Sequence, residues 1–299
     1  MKQRVLILGG TGMLGHTLFK QLRKDSDLTV FATVRSLNGL SRWFSPEEIQ
    51  NMVPDVDAGD FDSIIRTLAS VQPDVVINCI GLIKQLSIAN EPLYAIPINS
   101  LLPHRIALLC QASKARMIHI STDCVFNGQK GNYSEDDPSD ATDLYGRSKF
   151  LGEVAYPNSI TIRTSIIGHE LKSMASLVDW FLAQEGQVRG FTKALFSGFP
   201  TVEIARIIQE YILPRPNLSG LYQVSAMPIS KYELLCFIAE KYQKRIIVEP
   251  YEDFVLNRVL NSSRFQAETG YTPPEWEKLI TAMHLHYQQS PHYKMEKKR

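Results

Sequence analysis

The sequence has almost no charge bias. Its 299 residues carry 32 lysines and arginines against 31 aspartates and glutamates, a formal net charge of +1. Nucleic acid as the main partner requires a clustered basic field. The only basic run is the tail from Lys294 to Arg299, which reads as a solvated chain end. Cysteine is scarce too. Cys79, Cys110, Cys124 and Cys236 form no CxxC pair, so reduced thiols in a cytoplasmic compartment are expected rather than a disulfide framework. The seven histidines show no HxxxH spacing, and no metal is expected in the chemistry. No run of about 18 apolar residues occurs, so no membrane span is expected. The opening MKQRVLILGG has glycines where the apolar core of a signal peptide would continue.

What is present is the composition of a globular chain, 44% hydrophobic and 21% charged. Its length suits one large domain or two closely joined ones. The first half alternates apolar runs with helical patterns. Val5–Leu8, Leu28–Val34, Met52–Val56, Asp74–Ile80, Met117–Ser121 and Ile160–Ile167 read as strands. Leu14, Leu18 and Leu22 share one helix face. Asp60 and Asp143 are placed to cap helices, and Ile98–Ala112 reads as a helix. Strand–helix–strand repetition predicts an α/β fold with a doubly wound parallel sheet covered on both faces. Beyond Ile167 the pattern loosens. Helices are expected near Ser173–Glu185, Val202–Leu213, Ser230–Tyr242 and Glu275–Tyr287. Short strands are expected near Gln187–Phe191, Leu221–Val224 and Ile246–Val248. The division expected is a dinucleotide-binding domain over 1–165 and a smaller α/β substrate lobe over 166–299, with part of 187–213 returning to the first.

The segment Gly9-Gly10-Thr11-Gly12-Met13-Leu14-Gly15 joins the first strand to the first helix. Gly9, Gly12 and Gly15 make a GxxGxxG pattern. The first glycine allows the tight turn, the second the approach of backbone amides to a pyrophosphate, the third helix–sheet packing. The helix N-terminus adds free N–H groups and partial positive charge. This context points to a dinucleotide. After the second strand the chain has Arg35 and Ser36 rather than an acid. An arginine there can pair with a 2′-phosphate, so NADP(H) is preferred and NAD(H) stays possible. A surface arginine is the alternative. Asp57 could accept from the adenine amino group or simply form a turn, and Gly81 ends the fourth strand where the nicotinamide ribose would approach.

Tyr145 and Lys149 stand four apart in YGRSK, on one face of a helix. An ammonium beside a phenol would stabilise the phenolate and lower its pKa. Such a tyrosine can exchange a proton with a substrate oxygen. Thr122, in STDCVF at the carboxyl end of a strand, can donate to the same oxygen.

These residues together resemble an extended short-chain dehydrogenase/reductase, and specifically the dTDP-4-dehydrorhamnose reductase family. The matching stretches are the glycine loop, STDCVF followed by an acidic proline-containing loop, and YGRSKFLGE. The RTS of 163–165, GFPT of 198–201 and GLYQV of 220–224 extend the match. The resemblance implies hydride transfer from NADPH to the C4 carbonyl of a nucleotide-linked 4-keto-6-deoxysugar. Tyr145 would donate the proton, Lys149 hold the nicotinamide ribose, and Thr122 orient the carbonyl. Asn99 matches a supporting asparagine of the superfamily, or caps a helix start. The partner implied is a nucleotide-diphosphate sugar, with the protein a monomer or homodimer. An epimerase or dehydratase, or a non-catalytic NADP-binding regulatory subunit, are the alternatives. The sequence departs from the family at Cys124 and Ile166, where aromatic residues usually flank the sugar. With Asp123, these two positions are the expected substrate contacts. Lys84 could meet a sugar hydroxyl or phosphate, or be solvated. Arg258 could bind the diphosphate or form a structural ion pair. Trp180, Phe181 and Phe196 pack the C-terminal lobe, or one of them stacks on a nucleobase.

Overall fold

The computed structural model describes residues 2–84 and 87–290. The basic tail and Gln85 lie outside them. The strands are β1 Gln3–Leu8, β2 Leu28–Thr33, β3 Met52–Val53, β4 Val75–Asn78, β5 Arg116–Thr122, β6 Ser159–Thr164, β7 Ile166–Ile167, β8 Gln187–Phe191, β9 Ala194–Phe196, β10 Phe199–Pro200, β11 Gly220–Gln223, β12 Ile229–Ser230, β13 Ile247–Tyr251 and β14 Leu256–Asn257. Seven of them form one parallel sheet in the order β11-β6-β5-β4-β1-β2-β3.

The apolar runs explain this sheet. Val5, Leu6, Ile7 and Leu8 are all fully buried, as are Val76 and Ile77. Alternate side chains enter two cores, one on each face. Each such residue contributes about 1.5–3 kcal/mol by leaving water. On one face the helix Met13–Leu22 packs against the helix Thr201–Ile207, with Thr17 donating to Thr201 at 3.2 Å. The other face is covered by the helices Phe61–Val71 and Leu102–Ala112. The latter is the end of a continuous run from Pro92 that is long and apolar enough to cross a membrane. Its Leu102, Ile106, Ala107 and Cys110 pack on the sheet instead.

Several boundaries differ from the expectations. The third strand stops at Val53, because Pro54 follows and Asp55 takes a left-handed φ of 60°. Asp57 therefore sits in an exposed turn, its carboxylate accepting from the Gly59 amide at 2.7 Å. The sixth strand breaks at Ser165 into β6 and β7. The helix expected over 173–185 is Leu177–Ala183, capped by Ser176. Within 187–213 the helix Thr201–Ile207 packs on the main-sheet helix Met13–Leu22, and beyond that range the strand β11 joins the main sheet as well. Three small sheets, β10-β7, β12-β9-β14 and β13-β8, are separate from it, and the helix Lys231–Lys241 packs on the last two.

Candidate active site

Strand order reverses between β1 and β4, and ligands of such sheets bind at the carboxyl edge there. The glycine loop fits that place. Gly9 has φ +87°, and a β-carbon on it would touch Ile80 and Cys79 beyond β4. A β-carbon on Gly15 would stand 2.1 Å from the Gly9 carbonyl oxygen, so only glycine lets the helix start this close to the turn. Gly12 is exposed, and the first helical turn has no side-chain cap and no acidic residue. Its amides are left for an anion. Thr11 and Met13 flank Gly12, half-buried, and Leu14 is buried in the core. Arg35 and Ser36 follow β2 on the exposed rim, Ser36 accepting from the Asn38 amide at 3.1 Å.

Thr122 ends β5, is buried, and caps the short turn Asp123–Val125 by accepting from the Cys124 amide at 3.1 Å. The helix Leu144–Leu151 lies across that turn. It starts where Asp143 accepts from the Gly146 amide at 2.8 Å. Tyr145 sits in its first turn, its phenol near enough to Thr122 for that side chain to favour the ionised form. Burial, then the neighbouring Cys124, Asp123 and Asp143, push the phenol above its ordinary range. This differs from the expectation that Lys149 lowers it. The Lys149 ammonium instead donates to the Ile120 carbonyl at 2.8 Å, beneath Gly81. Burial brings it down to about 8, against the pull of Glu153. A phenol that keeps its proton at neutral pH suits donation rather than abstraction.

Asn99 does not begin a helix. It lies inside the Pro92–Ala112 run, in a π-helical stretch Ile96–Leu101. Such bulges accompany functional sites. Its side chain accepts from the Leu82 amide at 2.8 Å and donates to the Leu82 carbonyl at 3.2 Å and to Ser148 at 3.3 Å. The loop after β4 is thereby tied to the Tyr145 helix. Lys84 reinforces the tie, pairing with Asp143 at 2.8 Å across the same gap. It is neither solvated alone nor turned to a separate anion.

The C-terminal segment supplies the opposite wall. Arg258 donates from Nε to the Phe126 carbonyl at 2.7 Å and from Nη1 to Cys124 Sγ at 3.5 Å. Cys124 is half-buried and its thiol is pushed up to about 12, chiefly by burial. It is no nucleophile at neutral pH. Burial likewise raises the Asp123 carboxyl, against the fields of Arg258 and Lys231. Lys231, first residue of the helix Lys231–Lys241, bears electrostatically on Asp123 and Cys124, a neighbour that sequence reasoning missed. Only its place after the capping Ser230 marked it. Ile166 pairs with Phe199 two residues beyond Thr164, the register partner of Thr122. Trp180 is exposed, whereas Phe181 and Phe196 are buried in the core.

Comparison with known proteins fits this geometry. The family model of the RmlD substrate binding domain matches residues 3–289. The chain is 28% identical over 254 residues to methionine adenosyltransferase 2 subunit beta of Danio rerio, covering 80% of this chain and 74% of that protein. It is 29% identical to the spore coat polysaccharide biosynthesis protein SpsK of Bacillus subtilis, covering 80% and 79%. The crystal structure of dTDP-4-dehydrorhamnose reductase from Bacillus anthracis in complex with NADP has the same fold. The TM-score is 0.78 at 20% identity, over 96% of this chain and 99% of that one.

Proposed function

The chain belongs to the RmlD substrate binding domain family, and we propose that it is an NADPH-dependent reductase of a nucleotide-linked 4-keto-6-deoxysugar. The observation that carries this reading is the seating of the Tyr145 helix on the Asp123–Val125 turn at the carboxyl edge of the sheet, which sets the Tyr145 phenol in reach of Thr122, with Lys149 one turn behind it. The uncapped helix start after Gly12 and the Gly9–Gly15 contact fit a dinucleotide pyrophosphate. NADPH supplies the hydride to the carbonyl carbon. Tyr145 holds a proton at its phenol oxygen and donates it to the carbonyl oxygen as that oxygen gains charge. Thr122 orients the same oxygen. Lys149 offers an ammonium to the nicotinamide ribose, and Asn99 fixes the backbone at Leu82 beside it. Arg35 and Ser36 take the 2′-phosphate, and Gly81 leaves room for the ribose. Asp123, Cys124 and Ile166 line the sugar side. Arg258 and Lys231 bring positive charge to the nucleotide diphosphate. The main sheet is the dinucleotide-binding domain, and the small sheets with the helix Lys231–Lys241 form the substrate lobe.

NADPH consumption with a panel of nucleotide-linked 4-keto-6-deoxysugars tests the proposal. Turnover on one member, absent in Tyr145→Phe, supports it. No turnover on any member rejects it. A regulatory, non-catalytic reading is favoured by the likeness to methionine adenosyltransferase 2 subunit beta. It leaves the chemical fitness of Thr122, Tyr145 and Lys149 without a use.

A further inference from the structure

Directly behind Lys149 lies a buried ion pair. Arg163, inside β6, donates from Nε and Nη2 to the two carboxylate oxygens of Glu153, at 2.8 and 2.7 Å. Ser121, next to the Ile120 carbonyl that Lys149 binds, donates to the same carboxylate at 2.7 Å. The side chains of Arg163 and Glu153 are 3% and 9% exposed. Arg163 also lies over the Phe126 ring at 5.1 Å, and its Nη1 is buried without a partner. A buried pair with an unsatisfied donor is poor value as a fold stabiliser, because desolvation consumes most of the attraction. Three donors fix the Glu153 carboxylate beneath the end of β5, one turn beyond Lys149 in sequence.

We propose that Glu153 is a positioning residue of the reaction centre: its fixed carboxylate, held by Arg163 and Ser121, keeps the Lys149 ammonium charged inside the fold. The assignment deepens the reductase reading and rests on it for its purpose, not for its electrostatics. The groups that face Lys149 are Tyr145 on its own helix, Cys79 beyond β4, His119 within β5, Glu153, and Arg163 behind Glu153. Tyr145 and Cys79 are held neutral by burial, with pKa values raised. His119 is buried with its pKa well below the ordinary value, and so is neutral as well. Among the described residues, the fixed Glu153 carboxylate is thus the anion of this set, and it opposes the burial that lowers the Lys149 pKa.

The test follows the ¹³Cε chemical shift of Lys149 against pH in the full chain, with Lys149→Met used to assign the signal. The wild-type midpoint is expected near about 8. Glu153→Gln should lower it by one unit or more, roughly a tenfold shift in the proton equilibrium. Glu153→Asp, which keeps the charge, should restore most of it, and Arg163→Gln should raise it. Should Glu153→Gln not fold, Arg163→Gln still decides, because it keeps the Glu153 carboxylate and removes the neighbouring cation. Midpoints within about 0.3 of wild type in all folded variants, with only Tm changed, would overturn the proposal. The measurement needs neither NADPH nor sugar. Shifted midpoints without turnover on any sugar would therefore reject the reductase reading and leave the Lys149 assignment standing.

Discussion

A methyl group on Gly146 would stand 2.2 Å from the carbonyl oxygen of Cys124. The helix that carries Tyr145 is thus seated directly on the turn that carries Thr122. A second glycine, Gly152, lets the other end of the same helix approach Asn99, whose carbonyl oxygen would lie 1.9 Å from an added β-carbon. Gly146→Ala should push Tyr145 away from Thr122. We expect a stability loss of about 1–3 kcal/mol, the usual size for overpacking. Turnover should fall further than the lowered Tm accounts for, as paired thermal melts and rate measurements below the melt would show.

Tyr145→Phe removes the proton donor and keeps the ring. Turnover should drop roughly 10²–10⁴-fold, the usual size of general acid catalysis. NADPH affinity, measured by fluorescence titration, should stay within about twofold. A variant with more than about a tenth of wild-type turnover would remove Tyr145 from this role.

Arg35 is exposed after β2 and has no acid beside it in the chain to grip a ribose diol. Arg35→Ala should weaken NADPH binding about tenfold, the scale of one charge-assisted contact to phosphate, while leaving NADH unchanged. Calorimetric titration of both dinucleotides reads the difference. Equal losses for the two would place Arg35 away from the 2′-phosphate.

Lys149 sets a pH dependence. Its ammonium is brought from 10.5 to about 8 by burial. Turnover and dinucleotide affinity should therefore fall as pH rises through about 8. Stability moves the other way. The cost of burying the charge is full below about 8 and is relieved as pH rises toward 10.5, because the unfolded chain holds the extra proton in that window. Rate profiles and denaturant midpoints between these values separate the two effects.

The sheet and its glycine loop were legible because fully buried parallel strands read as continuous apolar runs, and because β1 must turn tightly at Gly9. The reach of the third strand was not, since the left-handed turn at Asp55, directly after Pro54, ends it. Nor was the return of β11 to the main sheet, which depends on long-range pairing with β6. In the site, Tyr145, Lys149 and Thr122 were readable from spacing and strand ends. The field around Tyr145 was not: four-residue spacing placed Lys149 on the right helix face, but the carbonyl of Ile120 claims its ammonium. Lys231 and the Glu153–Arg163 pair escaped for the same reason, since their partners are distant in the chain.

The central claim is that this fold delivers a hydride to a sugar carbonyl with Tyr145 as proton donor. NADPH deuterated at the transferable C4 position tests it directly, with a nucleotide-linked 4-keto-6-deoxysugar as acceptor and mass spectrometry of the sugar as readout. The account predicts one deuterium on the former carbonyl carbon with the wild type and a much slower appearance with Tyr145→Phe. Bound NADPH with no deuterium on any sugar of the panel would contradict it.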